Sequence, residues 1–327
     1  MKKYNFWVIA WIVLMHVGAL AAPFYFTWQA FLLFIFLGWL TGGVGICLTY
    51  HRLLTHGSFK VPKPVEYVLT LCAVLASQGG PINWVARHRI HHAYSDQEED
   101  PHSPRKGFWW AHVFWLFRYR PLLDDYELYV PYAKDLASDP VLRFINSTHG
   151  LYQILLGIGL YFWGGLPFLL WGLFARTAFV YHITWFVNSA THLWGYQNYD
   201  AKDDSRNLWW VALLAMGEGW HNNHHAFQRS AAHGLKWWEF DQTYLTIKLM
   251  EFFKLAREVH TPKNFQLENP KLNLNLRAIP EKIRPNLEAI ASATKAAREK
   301  AVAKLEEVAS QMPQVKVSVA RLEKAAS

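Results

Sequence analysis

Apolar residues in this chain fall in long unbroken blocks separated by charged stretches. Residues 6–26 and 28–50 contain no charged side chain, and each block exceeds the roughly 20 residues that carry a helix across ~30 Å of hydrocarbon. A third block, 151–191, is about twice the spanning length and is broken by Gly164-Gly165-Leu166-Pro167, which predicts two spanning helices joined by a tight turn. Residues 65–76, VEYVLTLCAVLA, are apolar but too short to span and contain Glu66. They predict a re-entrant or interfacial helix over about 64–77. The pattern gives an all-α integral membrane protein: four transmembrane helices, one re-entrant or interfacial helix, and a helical cap built from the charged stretches.

Charge orients these elements. The turns near Thr27 and at 164–167 carry no Lys or Arg, whereas 51–150 and 193–327 hold nearly all the basic residues, and Lys2 and Lys3 precede the first block. The positive-inside rule puts both termini and both long segments on the cytoplasmic face of a multi-pass protein. The start MKK with an apolar run ending in ALAAP imitates a signal peptide, but the run is too long and Pro23 would follow the cleavage point. The membrane domain with its cytoplasmic cap is expected over 1–260. The tail, 261–327, is expected to be cytoplasmic and partly helical: residues 286–327 are rich in Ala, Glu and Lys, lack Trp, and are interrupted at Pro313.

Composition narrows the class further. Of 327 residues, 52% are hydrophobic and 17 are Trp. The sequence pI near 9.3 suits an anionic membrane face or an acidic soluble partner. The basic residues form no stripe, which excludes nucleic acid. Cys47 and Cys72 lie in apolar stretches, are not spaced as a metal pair, and read as small buried hydrophobes in a reducing compartment.

Candidate chemistry comes from the histidines, which recur at the predicted cytoplasmic ends of the spans. The stretches are HRLLTH at 51–56, HRIHH at 88–92 and HNNHH at 221–225. At roughly 100° per helical residue, His88, His91 and His92 point one way, as do His221, His224 and His225. His51 and His56 stand about 140° apart on an α-helix, and either grip one metal from two sides or bind two metals. Asn188 and His192, spaced i, i+4 at the end of the fourth span, share a face. These nine histidines and one asparagine supply two metals with four or five ligands each. His16, His102, His112, His149, His182, His233 and His260 lie outside this pattern and read as packing or surface residues. Imidazole suits zinc, copper, iron and nickel, but a structural zinc site closes with four ligands and seldom needs two adjacent metals. A nearly all-imidazole dinuclear site at a membrane face suits oxygen chemistry on a lipid.

The three boxes, with Asn188-Ser189-Ala190-Thr191-His192 before the third, resemble the membrane fatty acyl desaturases of the stearoyl-CoA (delta-9) type over roughly residues 5–260. Asp100-Pro101-His102, Arg105-Lys106-Gly107-Phe108 and Gly217-Glu218-Gly219-Trp220 strengthen the resemblance. It implies two iron ions held by His51, His56, His88, His91, His92, His192, His221, His224 and His225, with Asn188 reaching one through water. It implies an enzyme that uses oxygen and two external electrons to place a double bond, at the delta-9 position, in a long saturated acyl chain. It also implies a bent substrate tunnel with Gln78, Trp84, Thr184 and Trp185 at its kink. Trp39 and Gly43, four apart on one face of the second span, are expected to set how deep the acyl tail reaches.

Acyl-CoA enzymes of the family commonly read Trp-Ala-Arg-Asp before box two, whereas this chain reads Trp84-Val85-Ala86-Arg87, and Gln78-Gly79-Gly80-Pro81-Ile82 looks more like the bacterial and cyanobacterial branch. The carrier is therefore either CoA or a membrane lipid. A histidine-box hydroxylase or alkane oxygenase would share the metal site but lack the kink set. A metal transporter would want ligands in mid-span, where this chain has little but Arg176 and His182. No flavin, haem or iron–sulfur motif is present, so the electrons must come from a separate carrier: ferredoxin, or second a small b-type cytochrome. Arg87, Arg89, Arg105, Lys106, Arg118 and Arg120 are the expected landing patch.

Overall fold

The computed structural model describes residues 3–262; the tail beyond them lies outside the described residues. Helices dominate, and the extended pairings among the described residues are isolated bridges such as Lys60↔Arg257 and Tyr196↔Asn207. Three helical runs are long and apolar enough to cross a membrane: Phe6–Tyr25, Trp28–Thr55 and Pro140–Leu193.

Helix α1 (Phe6–Ala21) turns Trp7, Val13, Val17 and Leu20 outward and buries Ile12 and Met15. At Gly18 an added Cβ would stand 2.3 Å from the Phe174 ring, so the missing side chain lets α1 lie against residues 170–175. Thr27 caps α2 (Trp28–Thr55), α-helical over Trp28–Gly38, by accepting a hydrogen bond from the Ala30 amide at 3.1 Å. The chain then runs on as a π-helix over Trp39–Thr55, in which amides bond the carbonyl five residues back. Two threonine hydroxyls follow the same step: Thr49 donates to the Val44 carbonyl and Thr55 to that of Tyr50, each at 2.7 Å. The first half of this run exposes Leu32, Ile35 and Phe36, whereas residues 41–55 are buried throughout.

Helix α3 (Lys63–Val74) packs on the π-helical half of α2, where Gly45 brings the two backbones together: a Cβ there would sit 2.7 Å from the Ala73 Cα. Its other face leaves Val68 and Leu71 exposed. Helix α4 (Pro81–Ala93) starts on a proline and carries the second histidine box. Short turns over 104–137 lead to α5 (Pro140–Leu169), which Asp139 caps by accepting from the Val141 amide at 2.9 Å. The long run that α5 begins is broken at Gly164 and Gly165, the latter at φ 67°, which favours glycine. It then continues through a π-helical segment over Leu170–Ala175 into α6 (Arg176–Leu193). Arg176, wholly buried, is held by the carbonyls of Gly172 and Leu75. Three shorter helices complete the described fold: α7 (Trp209–Leu214), α8 (His221–Ala226) and α9 (Gln242–Phe252).

The largest buried apolar cluster joins the second half of α2 with α3, α4 and the start of α5, through Leu48, Ala73, Ile82, Val85 and Leu142. This core fixes the end of α2 against α4. With the end of α6 and the short α8, these elements bring all three histidine stretches to one place.

Candidate metal centre

The nine imidazoles converge in two sets. His51, His56, His88, His92 and His224 form one, and His91, His192, His221 and His225 the other; within each set one nitrogen per residue lies within 4.8 Å of every other. The boxes therefore divide between the sets rather than each facing one point. In box two the i, i+4 pair His88 and His92 turns to the first set and His91 to the second. In box three the i, i+4 pair His221 and His225 turns to the second and His224 to the first. His51 and His56, placed apart by α-helical geometry, meet in one set with ring centroids 4.9 Å apart. The π-winding is the reason: the His56 amide bonds the His51 carbonyl, five residues back, at 3.2 Å, which stacks residues five apart.

Carboxylates hold the back of several rings. Nδ1 of His51 lies 2.6 Å from Glu218, that of His91 3.0 Å from Asp100, that of His192 3.1 Å from Asp96, and that of His225 2.6 Å from Asp203. An ionised carboxylate only accepts, so Nδ1 carries the proton and Nε2 keeps its lone pair. Those lone pairs point inward. The nitrogens close to 3.1 Å for His51–His224, 3.0 Å for His92–His224 and His88–His92, and 3.1 Å for His192–His221, all Nε2 to Nε2. Nε2 of His56, His91 and His225 is buried and has no partner. Four of the nine rings thus bring a bare Nε2, and a cation between the nitrogens would take the lone pairs of a whole set at once. With metal–nitrogen bonds of about 2.1 Å, neighbouring ligands at right angles stand about 3.0 Å apart, so the spacing fits a metal ion in each set.

Protonation agrees with that use. Burial first, and then the neighbouring imidazoles, hold His56, His88, His92, His221 and His224 well below the ordinary imidazole range. They stay neutral, the form that ligates. His225 is lowered by burial with Asp203 opposing, whereas at His91 the Asp100 carboxylate outweighs burial and the shift is upward. Glu218 is held well below the usual carboxylate range: its burial is overcome by Arg52, His233 and His51.

Arg52 is wholly buried and donates to Glu218 at 2.8 and 3.0 Å, to Asp241 at 2.9 Å and to the Ala231 carbonyl at 2.6 Å. Asp96, Asp100, Asp203, Glu218 and Asp241 are the residues that reading the boxes alone leaves out. His102 and His233 are not bystanders either. The His102 ring lies 4.3 Å from that of His91, and Nδ1 of His233 lies 3.0 Å from Glu218. The signal for them was a general one: an imidazole bound to a metal through one nitrogen needs an acceptor on the other.

A cavity of about 630 Å³ reaches this centre and is lined by Gln78, Trp84, His88, Thr184, Trp185 and Asn188, among others. Trp84 stacks on His88 at 5.0 Å with planes 18° apart. Its indole donates to the Gln78 Oε1 at 3.1 Å, and the Gln78 amide donates to Thr184 at 2.9 Å. The four residues expected at a tunnel kink are thus together, three of them in one hydrogen-bonded line ending on a metal-set imidazole. Trp39 and Gly43 are not in this lining. Trp39 packs against the core cluster, and a Cβ on Gly43 would stand 2.5 Å from Met216 Sδ.

Comparison with known proteins decides the family. The fatty acid desaturase family model matches residues 26–253. The chain belongs to the fatty acid desaturase family. It is 53% identical over 248 residues to an sn-1 stearoyl-lipid 9-desaturase of Anabaena variabilis, covering 75% of this chain and 90% of that relative. It is 51% identical to an sn-2 palmitoyl-lipid 9-desaturase of Nostoc sp. (strain 36), over 75% and 86% of the two chains. A Synechocystis sn-1 stearoyl-lipid 9-desaturase is 47% identical over 80% and 82%.

The expected landing patch of this desaturase looks different in three dimensions. Arg87 pairs with Asp124 at 2.8 Å, Arg89 with Asp135 at 2.7 Å and Arg105 with Asp204 at 2.8 Å. Lys106 donates to the Glu98 carbonyl, Arg120 to that of Pro101, and Arg118 lies 4.6 Å over the Tyr4 ring. All six are engaged within the chain: three in ion pairs, two on backbone carbonyls and one on a ring.

Proposed function

We propose that the chain is an oxygen-dependent acyl-lipid desaturase that forms a cis double bond, at the delta-9 position, in a long saturated chain, at a site of two iron ions. One ion would be held by His51, His56, His88, His92 and His224. The other would be held by His91, His192, His221 and His225, with Asn188 reaching it through water. The observation that carries this reading is the line Thr184–Gln78–Trp84–His88, which ties the cavity wall to the first imidazole set. An unactivated methylene offers ordinary side chains no acid, base or leaving group, so the bound metals would supply the oxidising chemistry. The chain's own residues would bind the acyl group, hold two adjacent methylenes beside His88 and exclude water. The balance is one saturated segment, one O₂, two electrons and two protons giving one double bond and two waters.

The names of the three cyanobacterial relatives favour a membrane lipid over CoA as carrier, as does the Trp84–Arg87 stretch, whose arginine is already paired with Asp124. The break at Gly164 and Gly165, inside α5, supports the stretch before it and the stretch running from it through α6 as separate spans, giving four in all, with α3 at the interface and the metal centre and both termini cytoplasmic. Electrons would arrive from ferredoxin, or second from a b-type cytochrome. Trp39 and Gly43 remain proposed limits on tail depth, and Gly43→Phe should move product towards shorter chains. A hydroxylase of the same metal class is the alternative.

The deciding experiment expresses the chain in a host lacking delta-9 desaturation. Double-bond position and lipid class are then read by mass spectrometry, and metal by elemental analysis of active protein. Hydroxylated products, or a purified active enzyme without iron, would overturn the reading.

A further inference from the structure

The cavity that reaches the metal centre does not end in the cap. Its far side is formed by Trp7, Val8 and Trp11 of α1 and by His149, Gly150 and Ile154 of α5. Both helices belong to runs long and apolar enough to cross a membrane. Trp7 is 82% exposed, Ile154 57%, and Val8 and Gly150 are exposed as well. An added Cβ on Gly150 would meet nothing within 4 Å, so that edge stands open.

The two edges are also fixed. The Trp11 indole donates to the Ser77 hydroxyl at 2.9 Å and to Tyr181 at 3.1 Å. On the other side buried Gln153 donates to the Val74 carbonyl at 2.8 Å. Both helices are thus tied to the stretch 74–77, directly before Gln78. The opening is preformed, and it leads straight to the hydrogen-bonded line that ends on His88.

We propose that this gap between α1 and α5 is a lateral portal through which the acyl chain of a membrane glycerolipid slides in from the bilayer, with Gly150 as the residue that keeps it open. The proposal rests on the cavity being the acyl site. Its occupant follows from the surroundings: the edges are exposed apolar side chains on spanning-length helices, and the arginine of the lining, Arg87, is already paired. A chain already in the bilayer meets this mouth without leaving hydrocarbon, whereas a soluble thioester would have to cross the membrane surface first. Among the described residues that line the cavity, Arg87 is the one Lys or Arg.

The α5 helix supplies its own control. Gly159 is also exposed with nothing within 4 Å of its added Cβ, but it does not line the cavity. Gly150→Trp and Gly159→Trp therefore change helix propensity and surface alike, and differ only in blocking the mouth. With enzyme in vesicles of stearoyl phosphatidylglycerol, Gly150→Trp should lower turnover about tenfold or more, the cost of forcing bulk into a filled channel. Gly159→Trp should stay within about twofold of wild type. Equal turnover in the two variants overturns the portal. A second measurement needs no turnover: wild-type protein is irradiated with phosphatidylglycerol carrying a diazirine on its acyl chain, and labelled peptides are mapped. Labelling of α1 around Trp7–Trp11 and of α5 around Gly150, lost in Gly150→Trp, supports the portal. Labelling there that persists in Gly150→Trp, or is absent from wild type, overturns it. If wild type is labelled there but desaturates no lipid, the proposed function fails while the portal stands.

Discussion

The two imidazole sets share boxes two and three, while box one goes only to the five-membered set and His192 only to the other, and they are backed differently. In the four-membered set, His91, His192 and His225 each rest on a carboxylate, and all four rings are buried. In the five-membered set only His51 has such a partner, Glu218, and His56, His88 and His92 are half-buried. A carboxylate behind Nδ1 fixes the ring and makes Nε2 a better donor. The four-membered set reaches a rigid arrangement with fewer ligands, whereas the other reaches it with more ligands, one anchored acid and a packed indole. The lesson is that ligand number and second-sphere anchoring trade against each other, and each half of that statement can be broken separately.

The largest effects should come from the ligands themselves. His221→Ala takes one of four imidazoles from the anchored set, and His92→Ala one of five from the other. Both should abolish turnover. Metal analysis should show the four-membered set failing more completely, with about one metal per chain left in His221→Ala and a larger residue in His92→Ala. Equal metal loss in the two variants would remove the idea that spare ligands compensate for missing anchors.

Next in size is Arg52, the cation on which Glu218 depends. Arg52→Met leaves Glu218 and Asp241 buried without their shared partner, which costs on the order of 3–5 kcal/mol. The thermal midpoint should fall clearly even in metal-free protein. An unchanged midpoint would show that Glu218 does not need the network.

A direct comparison of anchors follows. Glu218→Gln removes the acid of the five-membered set, and Asp96→Asn removes one of three from the other. Loss of an outer partner costs about 10–100-fold in metal affinity or activity. Glu218→Gln should fall at the upper end and Asp96→Asn at the lower. The reverse order would mean that anchoring, not ligand count, limits both sets.

Much of this site was legible in the sequence, and the reasons it was partly hidden are physical. The apolar blocks located the spanning-length helices because hydrocarbon thickness sets their length, and Gly164-Gly165 marked the break in the longest run. The three boxes gave eight of the nine convergent imidazoles, and the Asn188–His192 pair at the end of the fourth span gave the ninth. Their division between two sets was not legible, since i, i+3 and i+4 share a broad face of about 100° while the two sets are only ångströms apart. His51 and His56 met because Trp39–Thr55 is a π-helix, a winding that an α-helical projection cannot anticipate. Asp96 and Asp203 lie 96 and 22 residues from the rings they hold, His192 and His225, so only the folded chain pairs them. The six basic residues read as a patch because sequence shows charges but not the carbonyls and carboxylates that already bind them.

A smaller effect tests the indole that stiffens the five-membered set. Thr184→Val keeps shape but removes the hydroxyl to which Gln78 donates, leaving a polar group short of a partner at a cost of about 1–3 kcal/mol. Gln78 would release Trp84, and Trp84 would loosen on His88. The expected outcome is a minor product with the double bond displaced along the chain, at unchanged metal content. A single product at the original position would show that Trp84 is held by packing alone.

The smallest effect expected is that of surface charge. Electrostatic steering needs unpaired charge, and its strength fades beyond a Debye length of about 8–10 Å at ordinary ionic strength. Of the six basic residues near the boxes, Arg87 and Arg89 are neutralised by Asp124 and Asp135 and partly buried. Arg105 is paired with Asp204, and Arg120 and Lys106 serve loop carbonyls. Arg118 lies over the Tyr4 ring, so Arg118→Glu reverses a charge without removing one of these ion pairs. In turnover driven by reduced ferredoxin, this reversal should change the rate by about twofold at most, with a shallow salt dependence. A tenfold loss confined to low salt would restore these residues as the donor's landing site. It would then follow that the donor docks within about a Debye length of Arg118.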